Sequence, residues 1–154
     1  MTIANNPARP ADQLYIYQSM TTQPILYLVD DDEDDRMFLS NAVQEVIKNL
    51  TIIEYNSGQE FLDMAFSENS ITNSALLVID MNMPKMTGIE TICVLKENPE
   101  LAKMPVIVIS TSSNADLQKQ AYAVGAVDYL IKPSSAAGLA EIAAILKAHL
   151  GRLF

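Results

Sequence analysis

The chain has a single cysteine, Cys93, in 154 residues, so it can form neither an intramolecular disulfide nor a cysteine-based zinc site. A cytoplasmic setting is the expectation. Cations are scarce too: ten Lys and Arg stand against nineteen Asp and Glu, a formal net charge of −9. Phosphate backbones and anionic lipids are gripped by clustered Lys and Arg, so neither nucleic acid nor a membrane is an expected partner. No stretch approaches the roughly 18 apolar residues of a membrane span, and the N-terminus lacks the charged start and apolar run of a signal peptide. No GxxxxGK[ST] loop or GxGxxG turn occurs, which removes the common nucleotide-binding loops. The length leaves no room for a second domain of ordinary size.

What is present is a chain 49% hydrophobic and 19% charged, enough apolar residues for one well-filled core. Residues 1–22 hold two of the seven prolines and no sustained periodicity. They read as an N-terminal extension to a domain spanning residues 23–154. Leu14, Tyr15, Ile16 and Tyr17 form its one apolar cluster, which could dock on the domain or on another copy, and Met20 is a possible alternative start.

From Ile25 onward, short apolar runs alternate with longer segments of helical spacing. The runs are Ile25 to Val29, Thr51 to Tyr55, Leu76 to Ile79, Val106 to Ile109 and Val127 to Ile131. Three are almost wholly apolar, as strands buried on both faces should be. Leu39, Ala42, Val43, Val46 and Ile47 recur at spacings of three and four, which predicts a helix over Asp34 to Lys48. Ser57 and Glu60 read as a capping box opening a helix through Phe66. A third helix is predicted from Gly88 to Glu97, stopping before Pro99. Asn114 caps a fourth that Gly125 closes, and a fifth runs from Ser135 to Leu150. Cys93, among Ile89, Ile92 and Leu95, reads as a small core residue, and His149 as a solvated helix-end residue. Five strand–helix units in about 130 residues suit an α/β open doubly wound sheet of five parallel strands with five helices. In such sheets ligands bind outside the carboxyl ends of the strands.

Those ends carry chemistry. The first strand runs into Asp30-Asp31-Asp32-Glu33-Asp34-Asp35, nearly a third of all the acids in the chain. Glu33 to Asp35 fall in a first helical turn, where the macrodipole favours negative charge. Asp30 and Asp31 instead sit at the strand edge. The third strand ends in Asp80, so three carboxylates converge, and like charges at short range demand a cation or a raised pKa. Oxygen donors of this kind suit magnesium. Ser110 ends the fourth strand and Lys132-Pro133 follows the fifth. A carboxylate nucleophile, a metal, a hydroxyl and an ammonium are the parts of a phosphoryl-transfer site, with the phosphoryl group arriving on another molecule.

Over about Pro24 to Leu150 the chain resembles the receiver domain of two-component response regulators. The landmarks are LVDDD, DMNMPKMTG, VIVISTSS, GAVDYLIKP and their spacing. The resemblance implies a flavodoxin-like strand order, 2-1-3-4-5. It implies Asp80 as acceptor of a phosphoryl group from a sensor histidine kinase or phosphotransfer protein. Magnesium would be held by Asp31, by Asp80, by the backbone carbonyl of Asn82, and by Asp30 through water. Ser110 and Lys132 would contact the phosphoryl group, and Tyr129 would turn inward with Ser110 as the switch. The Lys132–Pro133 bond, a structural turn, would be cis.

The implied protein is a stand-alone cytoplasmic signalling switch, which catalyses only its own phosphorylation and dephosphorylation. With no output domain expected after the fifth helix, it would act through a downstream protein partner or as a homodimer. The long LKENPELAKMPVIVIS connection resembles small receivers, some of which pair with phytochrome-type kinases. Two other readings remain open on the residues. A phosphatase of the haloacid dehalogenase type would use an aspartate nucleophile, but it resembles a family that places a second Asp where this chain has Asn82. A phosphorylation-independent binding module would make no use of Asp80.

Overall fold

Residues 23–67 and 74–153 are described by a computed structural model. The extension expected over residues 1–22, with the Leu14 to Tyr17 cluster and Met20, lies outside the described residues. Five parallel strands, β1 (Ile25–Val29), β2 (Thr51–Tyr55), β3 (Ala75–Asp80), β4 (Val106–Ser110) and β5 (Asp128–Ile131), form one sheet in the order β2-β1-β3-β4-β5. That is the flavodoxin-like order. The helices are α1 (Glu33–Val46), α2 (Gly58–Ser67), α3 (Gly88–Glu97), α4 (Ala115–Ala123) and α5 (Ala136–Gly151), with a 3-10 turn at Leu101–Lys103 before β4.

Strand periodicity divides the core in two. Leu26, Leu28, Leu76, Val78, Ile107, Ile109 and Leu130 face the helices α1 and α5, meeting Leu39, Val43, Ile142 and Leu146. Alternate residues Tyr27, Val29, Leu77, Ile79, Val108 and Tyr129 face α2, α3 and α4, meeting Phe61, Ile92, Leu95 and Ala121. Successive side chains point to opposite faces of a strand, so a run covered on both sides must be apolar throughout. All six residues of β3 are buried. Burying each large aliphatic or aromatic side chain contributes about 1.5–3 kcal/mol. Phe61 anchors the second layer, with ring centroids 5.5 Å from Tyr27 and 5.7 Å from Tyr55.

Local chemistry sets the helix ends. Asp32 caps α1, its carboxylate accepting from the N–H groups of Asp34 and Asp35. At α2 the Ser57 hydroxyl accepts from Glu60 N–H, but the Glu60 carboxylate reaches back to Asn56 N–H, one residue earlier than in a closed box. The complete box lies at α3, between Thr87 and Glu90. Gly125 closes α4 with φ +108°, a backbone that favours glycine.

Two expectations are corrected. Cys93 is exposed. The inward residues of α3 are Gly88, Thr91, Ile92 and Leu95, and the 3.6-residue period carries position 93 off that face. His149 is not freely solvated: its ring Nε2 lies 3.0 Å from Asp128 Oδ2 at the start of β5, and its side chain is only 15% exposed. The α5 helix turns that position toward the neighbouring strand, so a residue near the helix end finds a tertiary partner.

Candidate functional site

The same periodicity that sorts the core also sorts the strand ends. Asp30 continues the series Leu26, Leu28; Asp80 continues Leu76, Val78; Lys132 continues Leu130. All three therefore project toward the α1–α5 side. With β1 and β3 adjacent, and Val29 paired with Ile79, the two aspartates emerge side by side. Asp30 is 3% exposed and Asp80 5%. One carboxylate oxygen from each of Asp30, Asp31 and Asp80 lies within 4.8 Å of the others, with Asp31 at the exposed mouth. Such a set of oxygen donors fits a divalent cation.

Lys132 answers that charge from β5. Its Nζ lies 2.7 Å from Asp30 Oδ2, 2.9 Å from Asp35 Oδ2 and 3.3 Å from Asp80 Oδ1. Burial raises the Asp80 carboxyl to about 6, the charge of Asp30 adds to the rise, and Lys132 and the Asn82 N–H only partly oppose it. Burial likewise raises Asp30, against the pull of Lys132. Burial of Lys132 disfavours its charge, yet its bonds to Asp30 and Asp35 and the charges around it outweigh that and raise its pKa. The pocket thus holds a buried carboxylate whose charge is costly and an ammonium whose charge is locked in.

The segment after Asp80 is shaped to keep it at the edge. Gly88 N–H donates to Met81 O at 3.0 Å, and a Cβ on Gly88 would stand 2.4 Å from the Asp80 backbone oxygen. Only glycine lets α3 start so close to β3. Within the turn, Met86 N–H closes on Pro84 O at 2.8 Å around Lys85, whose φ is +67°. Asn82 is exposed, and its N–H bonds the Asp80 carboxylate.

Ser110 and Tyr129 follow the opposite alternation, toward α4. Ser110 is fully buried, and its hydroxyl accepts from Ser112 N–H at 3.1 Å. Tyr129 lies inward, 8% exposed, with its hydroxyl donating to Ser112 O at 2.7 Å. Both therefore meet on the β4–α4 loop. Lys132 N–H donates to Ser110 O at 2.7 Å, which joins the two sides of the edge.

The expected cis bond at Lys132–Pro133 is corrected: no cis peptide occurs among the described residues. For a bond preceding proline the trans isomer is ordinarily lower by about 0.5–1 kcal/mol. Pro133 packs instead on Gly138, where an added Cβ would meet it at 2.4 Å.

Two site residues escaped the sequence reading. Asp35 was accounted for by the helix dipole, yet it bonds Lys132 across 97 residues of chain. Arg36 donates to the backbone oxygen of Asp30 and stands 3.4 Å from Glu54 Oε1 on β2. The one sequence signal for both is position: they sit in the first turn of a helix that starts at the crevice.

A buried carboxylate with a raised pKa, a locked ammonium and a divalent-cation donor set can accept and stabilise a phosphoryl group. Comparisons with known proteins bear on the family and the fold. A family model described as "Response regulator receiver domain" matches residues 26–144. Response regulator Rcp1 of Synechocystis sp. is 33% identical over 115 residues, covering 70% of this chain and 76% of Rcp1. Among solved structures, the phosphorylated cyanobacterial phytochrome response regulator RcpA superimposes with a TM-score of 0.73 at 23% identity, covering 83% of this chain and 94% of RcpA. The Mn2+-bound form of Rcp1 gives 0.68 at 27% identity, covering 81% and 92%.

Proposed function

The chain belongs to the receiver domains of two-component response regulators, and on that premise we propose that it takes a phosphoryl group onto Asp80 in a magnesium-dependent reaction in the cytoplasm. The donor is a phosphohistidine on a sensor histidine kinase or phosphotransfer protein. The observation that carries this is the Asp80 carboxylate itself, buried at the sheet edge with Lys132 Nζ at 3.3 Å.

In the transfer, an Asp80 carboxylate oxygen bonds to phosphorus while the phosphorus–nitrogen bond breaks, and the imidazole nitrogen leaves with that electron pair. Hydrolysis restores the site: a water oxygen attacks phosphorus, the acyl-phosphate bond breaks, and the Asp80 carboxylate and inorganic phosphate result. Asp31 and Asp80, Asp30 through water, and the Asn82 carbonyl would hold magnesium, and the cluster of three carboxylates supports that donor set. When bound, the ion supplies positive charge against the carboxylates and the phosphoryl oxygens. Lys132 holds one phosphoryl oxygen, and Ser110 approaches another by moving with the β4–α4 loop.

The domain is a signalling switch. Phosphorylation adds charge and acceptor oxygens at Asp80, which favours the arrangement that brings the Ser110 hydroxyl toward Asp80. Tyr129, tied to the same loop through Ser112, carries that change to the face of α4, β5 and α5. A downstream protein, or a second copy of the chain, reads it by binding one state better than the other. Incubation with acetyl phosphate and magnesium should add one phosphoryl group per chain by intact mass. An undiminished label on Asp80→Asn rules out the acceptor, and undiminished labelling in chelator rules out the metal dependence.

A further inference from the structure

Lys132 is held by more negative charge than contact with a phosphoryl group on Asp80 requires. Asp30 and Asp35 lie 2.7 and 2.9 Å from its Nζ, both nearer than Asp80 at 3.3 Å. Asp35 is placed with precision, because the Asp32 cap fixes its N–H and the first turn of α1. The two closer partners differ in access to water. The Asp30 side chain is 4% exposed and that of Asp35 is 43% exposed, at the rim of a cavity of about 60 Å³ shared with Phe38, Pro133 and Leu139. A buried carboxylate that loses its ammonium is stranded, whereas a half-exposed one is rehydrated at little cost.

We propose that Asp35 is a positioning residue for the phosphoryl-transfer reaction: it tethers the Lys132 ammonium toward α1 and yields it when a phosphoryl group on Asp80 claims it. This deepens the function proposed above and rests on it. Two effects follow from the one carboxylate. Asp35 competes with the phosphoryl oxygens for Lys132, and its charge repels them across the same ammonium. Both lower the occupancy of the phosphorylated state and shorten its life. Asp30 is the costlier one to release, since its carboxylate is buried and would keep only the Asp32 N–H among this chain's own groups.

The test uses Asp35→Asn, which keeps the size and an acceptor oxygen but removes the charge. Magnesium plus beryllium fluoride, a phosphoryl mimic that does not hydrolyse, reports affinity for the phosphorylated geometry. Loss of label after donor removal reports lifetime. Asp35→Asn should bind beryllium fluoride about two- to fivefold more tightly, the span a half-exposed ion pair covers, and lose label more slowly by a similar factor. Asp35→Glu keeps the charge and should stay near the parent on both readouts. A purely structural role would lower the melting temperature of Asp35→Asn without tightening the mimic, and that result overturns the proposal. So does a Glu variant that matches Asn. A parent that labels normally while Asp35→Asn shows no change defeats this inference alone; a parent that takes no label defeats the functional reading and this inference with it.

Discussion

Replacing Asp80 with asparagine should stabilise the metal-free protein, and by an amount that depends on pH. The Asp80 carboxyl is raised from 3.8 to about 6, chiefly by burial and next by Asp30. A carboxyl raised in the folded state keeps its proton there after the unfolded chain has lost it. Stability is therefore lost as pH rises from about 4 to about 6, and the loss is complete above that. At 1.36 kcal/mol per pKa unit, the ionised group costs about 3 kcal/mol at pH 8 and about 1 kcal/mol at pH 4.5. Asparagine is neutral at both, so it removes the cost and with it the slope. The gain is reduced because Lys132 loses its 3.3 Å contact, though it keeps Asp30 and Asp35. A net gain of about 1–2 kcal/mol at pH 8, falling toward zero at pH 4.5, is the expected outcome in urea unfolding with chelator present. In a chain of this size the pH 8 gain corresponds to about 2–8 °C in melting temperature. An asparagine variant less stable than its parent at pH 8, or one whose gain is equal at both pH values, would refute the reasoning.

Two further outcomes test the site. Asp31 is the exposed member of the carboxylate cluster, so Asp31→Asn should weaken magnesium at least about tenfold by isothermal titration and remove about half or more of the stabilisation the parent gains from magnesium, which is about 2.7 kcal/mol at a hundred times Kd. Equal affinity in parent and variant would remove Asp31 from the ion's donors. Gly88→Ala places a Cβ 2.4 Å from the Asp80 backbone oxygen and should cost about 1–3 kcal/mol while slowing phosphorylation, because α3 must retreat from the strand that carries Asp80. An alanine variant as stable as the parent would show that the close approach is dispensable.

Ile25–Val29 and Thr51–Tyr55 could be read to the residue and the other strands within one; β1, β3 and β4 were legible because both faces are covered there, whereas the edge strand β2, with Thr51 and Glu54 exposed, was marked by its short β-rich run alone. Burial on two sides leaves a run with no polar interruption, and strand ends then stand out as the first acids, hydroxyls or lysines. Asp30, Asp80, Ser110 and Lys132 were found this way, and the structure brings them to one edge. What escaped depends on rotation about a helix or on pairing across the chain. Cys93 has apolar neighbours in sequence but lies off the inward face of α3. Asp35 and His149 each had a sufficient local explanation, in a helix dipole or a helix end, and nothing local points to Lys132 or Asp128. The isomer at Pro133 depends on a small energy difference that a motif does not fix.

The alternation of side chains at the sheet edge separates two lines of communication. Lys132 and Asp35 belong to the layer of α1 and α5, while Ser110, Ser112 and Tyr129 lead into the layer of α4, on the other side of a sheet whose middle strand is buried throughout. On the reading proposed above, a donor protein seated on α1 and a target seated on α4 would touch opposite sides of the sheet, and only α5, which packs with α1 and also borders the signalling face, would be common to both. Substitutions on α1 and on α4 would then retune loading and reading separately, while a change on α5 would reach both.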